Sequence, residues 1–311
     1  MYDVLIIGGG PAGLGAALPL GRQRRRVLVV DGGRPRNAPA ETMHMFLSRD
    51  GLPPSELRRI AQQELEDYPT VQIRGTEVTS LSGERDDFTA VLAGGEQVRA
   101  RRVLLATGQV DRLPDIEGFP ALFGRGIYHC PFCHGYETRD QPLAVLGGDC
   151  SHAMLAVYLK DRFSADVVLC TLGGPAPEEQ RERLARHGIT VREEPVRRIE
   201  RAGTAVRVHF DEGPALDRGA CYHRPAHGQH SALAEKLGCA LLDDGAVKID
   251  EQQRTTVPGV FAAGDMARLE ALPVALAFVI TGAADGTRAA IWIDQELFLS
   301  GLEDGDRETA G

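Results

Sequence analysis

The chain has 311 residues, with 35 Lys and Arg against 44 Asp and Glu, a formal net charge of −9 (35 − 44). That length suits two domains with separate cores, and 43% hydrophobic with 25% charged residues is the balance of a soluble globular protein. The acidic excess excludes a general nucleic-acid binder, which needs a basic face to displace counterions.

The opening "MYDVLIIGGG" has no basic region ahead of its short apolar run, so no signal peptide is expected, and a cytoplasmic location is. Residues 3–7 read as a buried parallel strand, followed by a glycine turn, a helix and a second strand at 26–31. In this βαβ unit Gly8, Gly10 and Gly13 carry the G-x-G-x-x-G spacing. The first glycine permits the tight turn, the second lets backbone approach a pyrophosphate, and the third lets helix and sheet pack closely. The helix N-terminus would then aim free N–H groups at the phosphates. Asp31 ends the second strand, placed to accept hydrogen bonds from a ribose. The basic run "GRQRRR" at 21–26 suits a solvated helix C-terminus better than a nucleic-acid or membrane patch.

A further buried strand at 102–109 ends in Ala-Thr-Gly, and "LPDIEGFPALFGRG" (113–126) reads as a crossover. Next comes "HCPFCHGYE" (129–137), with Cys130 and Cys133 flanked by His129 and His134. Zinc would need four ligands, usually from two paired motifs, and no second pair is present, so no metal is expected. A static disulfide is possible, but a cytosolic CxxC is more often redox-active. The other cysteines, at 150, 170, 221 and 239, are scattered and read as small buried hydrophobes. Residues 143–170 repeat the strand, turn, helix, strand pattern, and "GVFAAGD" (259–265) ends in Gly264-Asp265. The apolar stretch 271–284 is too short to span a bilayer, and Pro273 suits a first helical turn. The expected class is α/β, with two Rossmann-like domains of the three-layer ββα type, the second inserted in the first. Residues 1–114 and 229–311 form one, and 115–228 the other.

Taken in order, GGGPAG, ATG, CxxC, a second nucleotide-type unit and PGVFAAGD resemble the low-molecular-weight thioredoxin reductases across the whole chain. The resemblance implies FAD in the first domain, NADPH in the second, a redox-active CxxC and a homodimer. "DGGRPRN" (31–37) and "HCPFCHGYE" are more similar to a branch of that family, the dithiol oxidases that close disulfides in natural products of the gliotoxin, holomycin and romidepsin kind. The resemblance carries FAD contacts to Gly8, Gly10, Gly13, Asp31, Arg36, Asn37, Thr107, Gly108, Gly264 and Asp265. It adds Ala275, on the helix expected after Pro273, whose N-terminus would face the flavin. It also puts Cys133 against the flavin and Cys130 toward the substrate.

The second turn departs from the reductase pattern. It reads Gly147-Gly148-Asp149-Cys150-Ser151-His152, with an acid where backbone should approach a pyrophosphate and a histidine where a small residue should let the helix pack. After the next strand come Glu178 and Glu179 rather than an arginine-rich grip for a 2′-phosphate, with Arg181 and Arg183 late. NADPH is therefore doubtful, although a shifted turn with weak NADH or NADPH binding is the other reading. Where the reductases carry an aspartate after the second cysteine, this chain has His134, a base expected to titrate near neutrality. His129 is a second base or a loop residue. The expected function is oxidation of a small-molecule dithiol, electrons passing from the CxxC to FAD to O2 with release of hydrogen peroxide. An NADPH-dependent thioredoxin-type disulfide reductase is the alternative, and a redox-sensing flavoprotein a third reading.

Overall fold

The computed structural model describes residues 1–309, with side chains as far as Leu302. It divides into two compact units. The first comprises Met1–Ala38, Pro54–Val110 and the chain from His227 onward; the second comprises Pro39–Pro53 and Asp111–Ala226.

In the first unit the central strand Tyr2–Ile7 pairs in parallel with Val27–Val30 on one side and with Gln97–Leu105 on the other. Val71–Arg74 extends one edge in parallel, and Val260–Ala262 pairs in parallel with the end of Gln97–Leu105. The start of Gln97–Leu105 pairs antiparallel with Asp87–Leu92, which pairs antiparallel with Val78–Glu84. Strand side chains alternate between faces. Val4 and Ile6 pack on the helix side with Ala16, Leu20 and Ile293, whereas Leu5 and Ile7 pack on the other with Phe88, Leu233 and Val247. Burial on both faces is why the run "VLII" has no polar alternation. The first helix, Pro11–Arg22, lies against the C-terminal helix Val279–Thr309. The two approach at glycines: a Cβ on Gly286 would sit 1.9 Å from the Ala12 carbonyl oxygen, and one on Gly15 would sit 2.7 Å from that of Ala283.

The second unit repeats this layering. Five parallel strands run in the order Thr190–Arg192, Val167–Cys170, Leu143–Leu146, Ala220–Tyr222, Ile127–Tyr128. One face buries Leu143, Val145 and Leu169 under Cys150–Arg162 and Glu178–Arg186. The other buries Ala144, Leu146 and Val168 against Ile199, Val206 and Val208 of a three-stranded antiparallel sheet. Among the described residues no helix is long and apolar enough to cross a membrane.

Two local expectations differ. Residues 39–53, read with the first domain, pack within the second unit. Arg125 Nε donates to the Pro39 carbonyl at 3.3 Å, and His44 Nε2 lies 3.7 Å from a Glu137 carboxylate oxygen. The segment is closed by Asp50, which accepts from the Met45 N–H at 2.8 Å. The last helix starts at Val279, not near Pro273, so Ala275 lies in the irregular segment ahead of it. Thr281 Oγ1 accepts from the Phe278 N–H at 3.1 Å and donates back to the Leu276 and Phe278 carbonyls, which fixes the helix entry there.

Candidate functional site

In the first unit the glycine turn is built as its spacing demands. Gly8 has φ +113°, and a Cβ there would stand 2.1 Å from the Ala106 carbonyl oxygen. A Cβ on Gly13 would stand 1.8 Å from the Gly8 carbonyl oxygen, whereas Gly10 has no neighbour within 4 Å of that position. The helix that follows has no side-chain cap at Gly10, so its first N–H groups are left for a ligand. Gly9, unremarked in the sequence, is also required: a Cβ would stand 2.7 Å from the Asp31 carboxylate.

Asp31 accepts from the Gly33 N–H at 3.1 Å and pairs with Arg58 Nη2 at 2.5 Å. Arg58 Nε also donates to the Gly9 carbonyl, binding turn and acid together. An open cleft runs from this acid past Arg34 and Thr107 to His230 and Ser231. Elsewhere in this unit Arg36 Nη1 pairs with Asp265 Oδ2 at 3.2 Å and donates to Gln109 Oε1 at 3.4 Å. Asp265 sits in the turn Gly264–Met266, and Met266 Sδ accepts from the Thr107 N–H and hydroxyl. Gly108 has φ +68° and its carbonyl accepts from the His230 N–H. Asn37 is half-buried in the turn after Arg36. An open cleft, an uncapped helix and an acid at the end of the second strand fit the diphosphate and adenosine of FAD.

The corresponding turn of the second unit is filled by the chain itself. Asp149 caps the helix Cys150–Arg162, accepting from the His152 N–H at 2.9 Å, Ser151 Oγ at 2.7 Å and His152 Nδ1 at 2.7 Å. Burial works to raise the Asp149 carboxyl, but these bonds outweigh it and hold it down at about 2. Its negative charge occupies the helix N-terminus, where a phosphate would bind. The His152 ring is buried over the turn, so a Cβ on Gly147 would meet it at 2.3 Å. That ring stacks on His223 at 5.1 Å, and its Nε2 accepts from the Arg224 N–H at 3.3 Å. The two late arginines are engaged locally, Arg181 with Glu178 at 2.8 Å and Arg183 with Gln180 at 2.8 Å.

The cysteine pair also belongs to the second unit. Cys130 caps the short helix Pro131–His134, and its carbonyl accepts from the Cys133 and His134 N–H groups. Both cysteines are thiols. The Cys130 thiol is lowered, first by the hydrogen bond from Cys133, then, against burial, by the Cys133 and Phe132 N–H groups and the Arg224 charge. The scattered cysteines go the other way. Burial pushes Cys170 up to about 12 and raises Cys221 and Cys239, and a hydrogen bond to Glu179 raises Cys150. Gly135 closes the turn; a Cβ there would stand 2.4 Å from the Pro131 carbonyl oxygen and 2.6 Å from the Phe163 ring.

His134 is buried at 9% exposure, with its ring stacked on Tyr128 at 4.3 Å and edge-on to His44 at 6.0 Å. Burial, then the charges of His44 and His129, push its pKa down to about 4, well below the near-neutral value its residue type suggested. Nδ1 is buried without a hydrogen-bond partner among the described residues. Held neutral, the ring keeps one nitrogen without a proton, able to act as an acceptor. His129 is half-buried, its ring 6.2 Å from that of Phe123, and lines a pocket with Cys130. Sequence reasoning passed over His44, Thr42, Arg58 and Arg224, which reach their sites from distant positions.

The model of the pyridine nucleotide-disulphide oxidoreductase family matches residues 2–278. The thioredoxin reductase sirT of Leptosphaeria maculans is 32% identical over 285 residues, covering 86% of this chain and 87% of that protein. A thioredoxin reductase of Mycolicibacterium smegmatis is 32% identical over 317 residues, covering 96% and 97%. The crystal structure of HlmI superposes with a TM-score of 0.91 at 37% identity, covering 99% of this chain and 96% of that one.

Proposed function

The chain belongs to the pyridine nucleotide-disulphide oxidoreductases, as a thioredoxin reductase-like flavoprotein, and on that footing we propose that it is an FAD-dependent dithiol oxidase closing a disulfide in a small molecule. The observation that carries this reading is the Asp149 carboxylate on the second helix N-terminus, with the His152 ring over Gly147. A nicotinamide nucleotide would have to displace a charge already bonded there. Electrons then enter at the cysteine pair, where the thiol of Cys130 is shifted toward thiolate.

In the working cycle Cys130 and Cys133 start as a disulfide. A substrate thiolate attacks Cys130 Sγ, the bond to Cys133 breaks, and Cys133 leaves with the electron pair. The second substrate thiolate attacks the mixed disulfide at the substrate's own sulfur and expels Cys130, so the substrate has lost two electrons and two protons. FAD, when bound, would supply the two-electron acceptor for the pair, with dioxygen as the final oxidant and hydrogen peroxide as its product. The first unit would hold that cofactor through the Gly8–Gly13 turn, Asp31, Arg36, Thr107 and Asp265. His134, held neutral in the turn of the cysteine pair but outside the pocket beside Cys130, would take up a proton released there indirectly, and because burial disfavours the imidazolium it would pass the proton on rather than keep it.

A homodimer belongs to the same reading. It is supported by the exposed apolar side chains Ile291, Phe298, Leu299 and Leu302, which recur along one stripe of the C-terminal helix.

Oxygen uptake tests the function. With dithiothreitol in air and no NADPH, the enzyme is expected to consume one O2 per dithiol and to form one equivalent of hydrogen peroxide, with monothiols far slower. Absence of dithiol-dependent uptake, alongside NADPH-driven cleavage of a disulfide, would establish the reductase instead.

A further inference from the structure

Beside Cys130 lies a pocket of about 190 Å3, open to solvent and lined by His129, Cys130, Pro131, Phe132, Tyr158 and Arg224. Its concave wall of aromatic rings with one cation is the lining of a small-molecule site. Phe132 is 62% exposed, and its ring lies 6.2 Å from Tyr158 at a 40° tilt. Such an aromatic pair at a pocket wall offers an apolar face to a ring of similar size. Arg224 is exposed, and among the described residues no carboxylate lies within ion-pair distance of its guanidinium. Its backbone is anchored: the Arg224 N–H donates to His152 Nε2, and His152 is held by Asp149. The side chains that fill the old nucleotide turn therefore also fix the chain that carries Arg224.

Resting on the oxidase reading, we propose that this pocket docks the dithiol, with Arg224 holding the thiolate charge during exchange at Cys130 and the Phe132 and Tyr158 rings receiving an apolar, ring-bearing substrate body. The balance is that of the first exchange step. Negative charge enters on the substrate sulfur, passes through the forming bond at Cys130 Sγ, and leaves on Cys133 Sγ. A cation beside Cys130 favours both the arriving thiolate and, at product release, the departing Cys130 thiolate. A preference for apolar bodies follows from the exposed rings, since burying them against water-soluble polyols gains little.

Two measurements on the FAD-loaded enzyme test this. Alkylation of Cys130 by iodoacetamide in the reduced enzyme, followed across pH by mass spectrometry, is expected to slow about threefold to tenfold at pH 7 in Arg224→Gln, with partial recovery in Arg224→Lys. Steady-state oxidation of ortho-xylylene dithiol and dithiothreitol is expected to show a KM for the aromatic dithiol raised about tenfold in Tyr158→Ala, with kcat changed less and the KM for dithiothreitol moved less. If wild-type flavin is reduced by both dithiols while the alkylation profile and the KM ratio are unchanged in the variants, the docking site is overturned and the oxidase reading stands. If neither dithiol reduces wild-type flavin, both fall.

Discussion

Replacing Cys133 with serine is expected to abolish turnover, by roughly 10^4-fold or more, as removal of one member of a mutually dependent catalytic unit does. The loss should be equal in size but different in kind from that in Cys130→Ser. Cys130 is the thiol whose charge is stabilised, through Cys133, the local N–H groups and Arg224, and it opens on the pocket. Cys133 follows one turn later, its N–H bonded to the Cys130 carbonyl at 3.1 Å. In Cys133→Ser the remaining Cys130 should still accept an activated aromatic disulfide and hold one half of it as a stable mixed disulfide, seen as a mass increment. In Cys130→Ser the inner thiol should react slowly or not at all with the same reagent. The reverse pattern would exchange the two roles.

The second large effect is at His134. His134→Gln is expected to lower the rate of dithiol-driven flavin reduction by roughly 10^2-fold or more, the usual worth of a positioned proton acceptor. The pH dependence has a definite sign. The folded-state value is about 4 against an ordinary 6.5, because burial penalises the imidazolium. Between those values the unfolded chain binds a proton that the native protein does not, so stability from this group is complete above pH 6.5 and is lost as pH falls toward 4. The shift corresponds to about 3 kcal/mol at its limit. His134→Phe, which keeps a ring for Tyr128 to stack on, is expected to flatten this part of the stability curve relative to wild type. Urea denaturation at pH 7.5 and 4.5 checks it; equal acid losses in both proteins would show that His134 is not held neutral.

Much of the first unit was legible because its signals are local. "VLII" has no alternation because the strand is covered on both faces, and the glycine spacing reflects carbonyl contacts that a Cβ would close. Asp149 and His152 were legible as departures from a pattern. The helix cap they form is local, but the stack on His223 was not legible, since it depends on a strand end more than seventy residues away. The same distance hid His44, whose segment has no helical or strand periodicity and packs beside His134 across 90 residues of chain. Arg58 and Arg224 looked like ordinary surface charges; only folding sets one against Asp31 and the other beside Cys130. The entry of the last helix was misplaced because Pro273 signals a start that the Thr281 and Phe278 hydrogen bonds set six residues later.

The central claim is the direction in which electrons travel, and an anaerobic titration of the flavin tests it most directly. Stepwise addition of a dithiol should bleach the oxidised flavin band at about one equivalent, while NADPH or NADH in excess should leave it unchanged. Rapid bleaching by NADPH, with none by a dithiol, would contradict it and make the filled second turn irrelevant to catalysis.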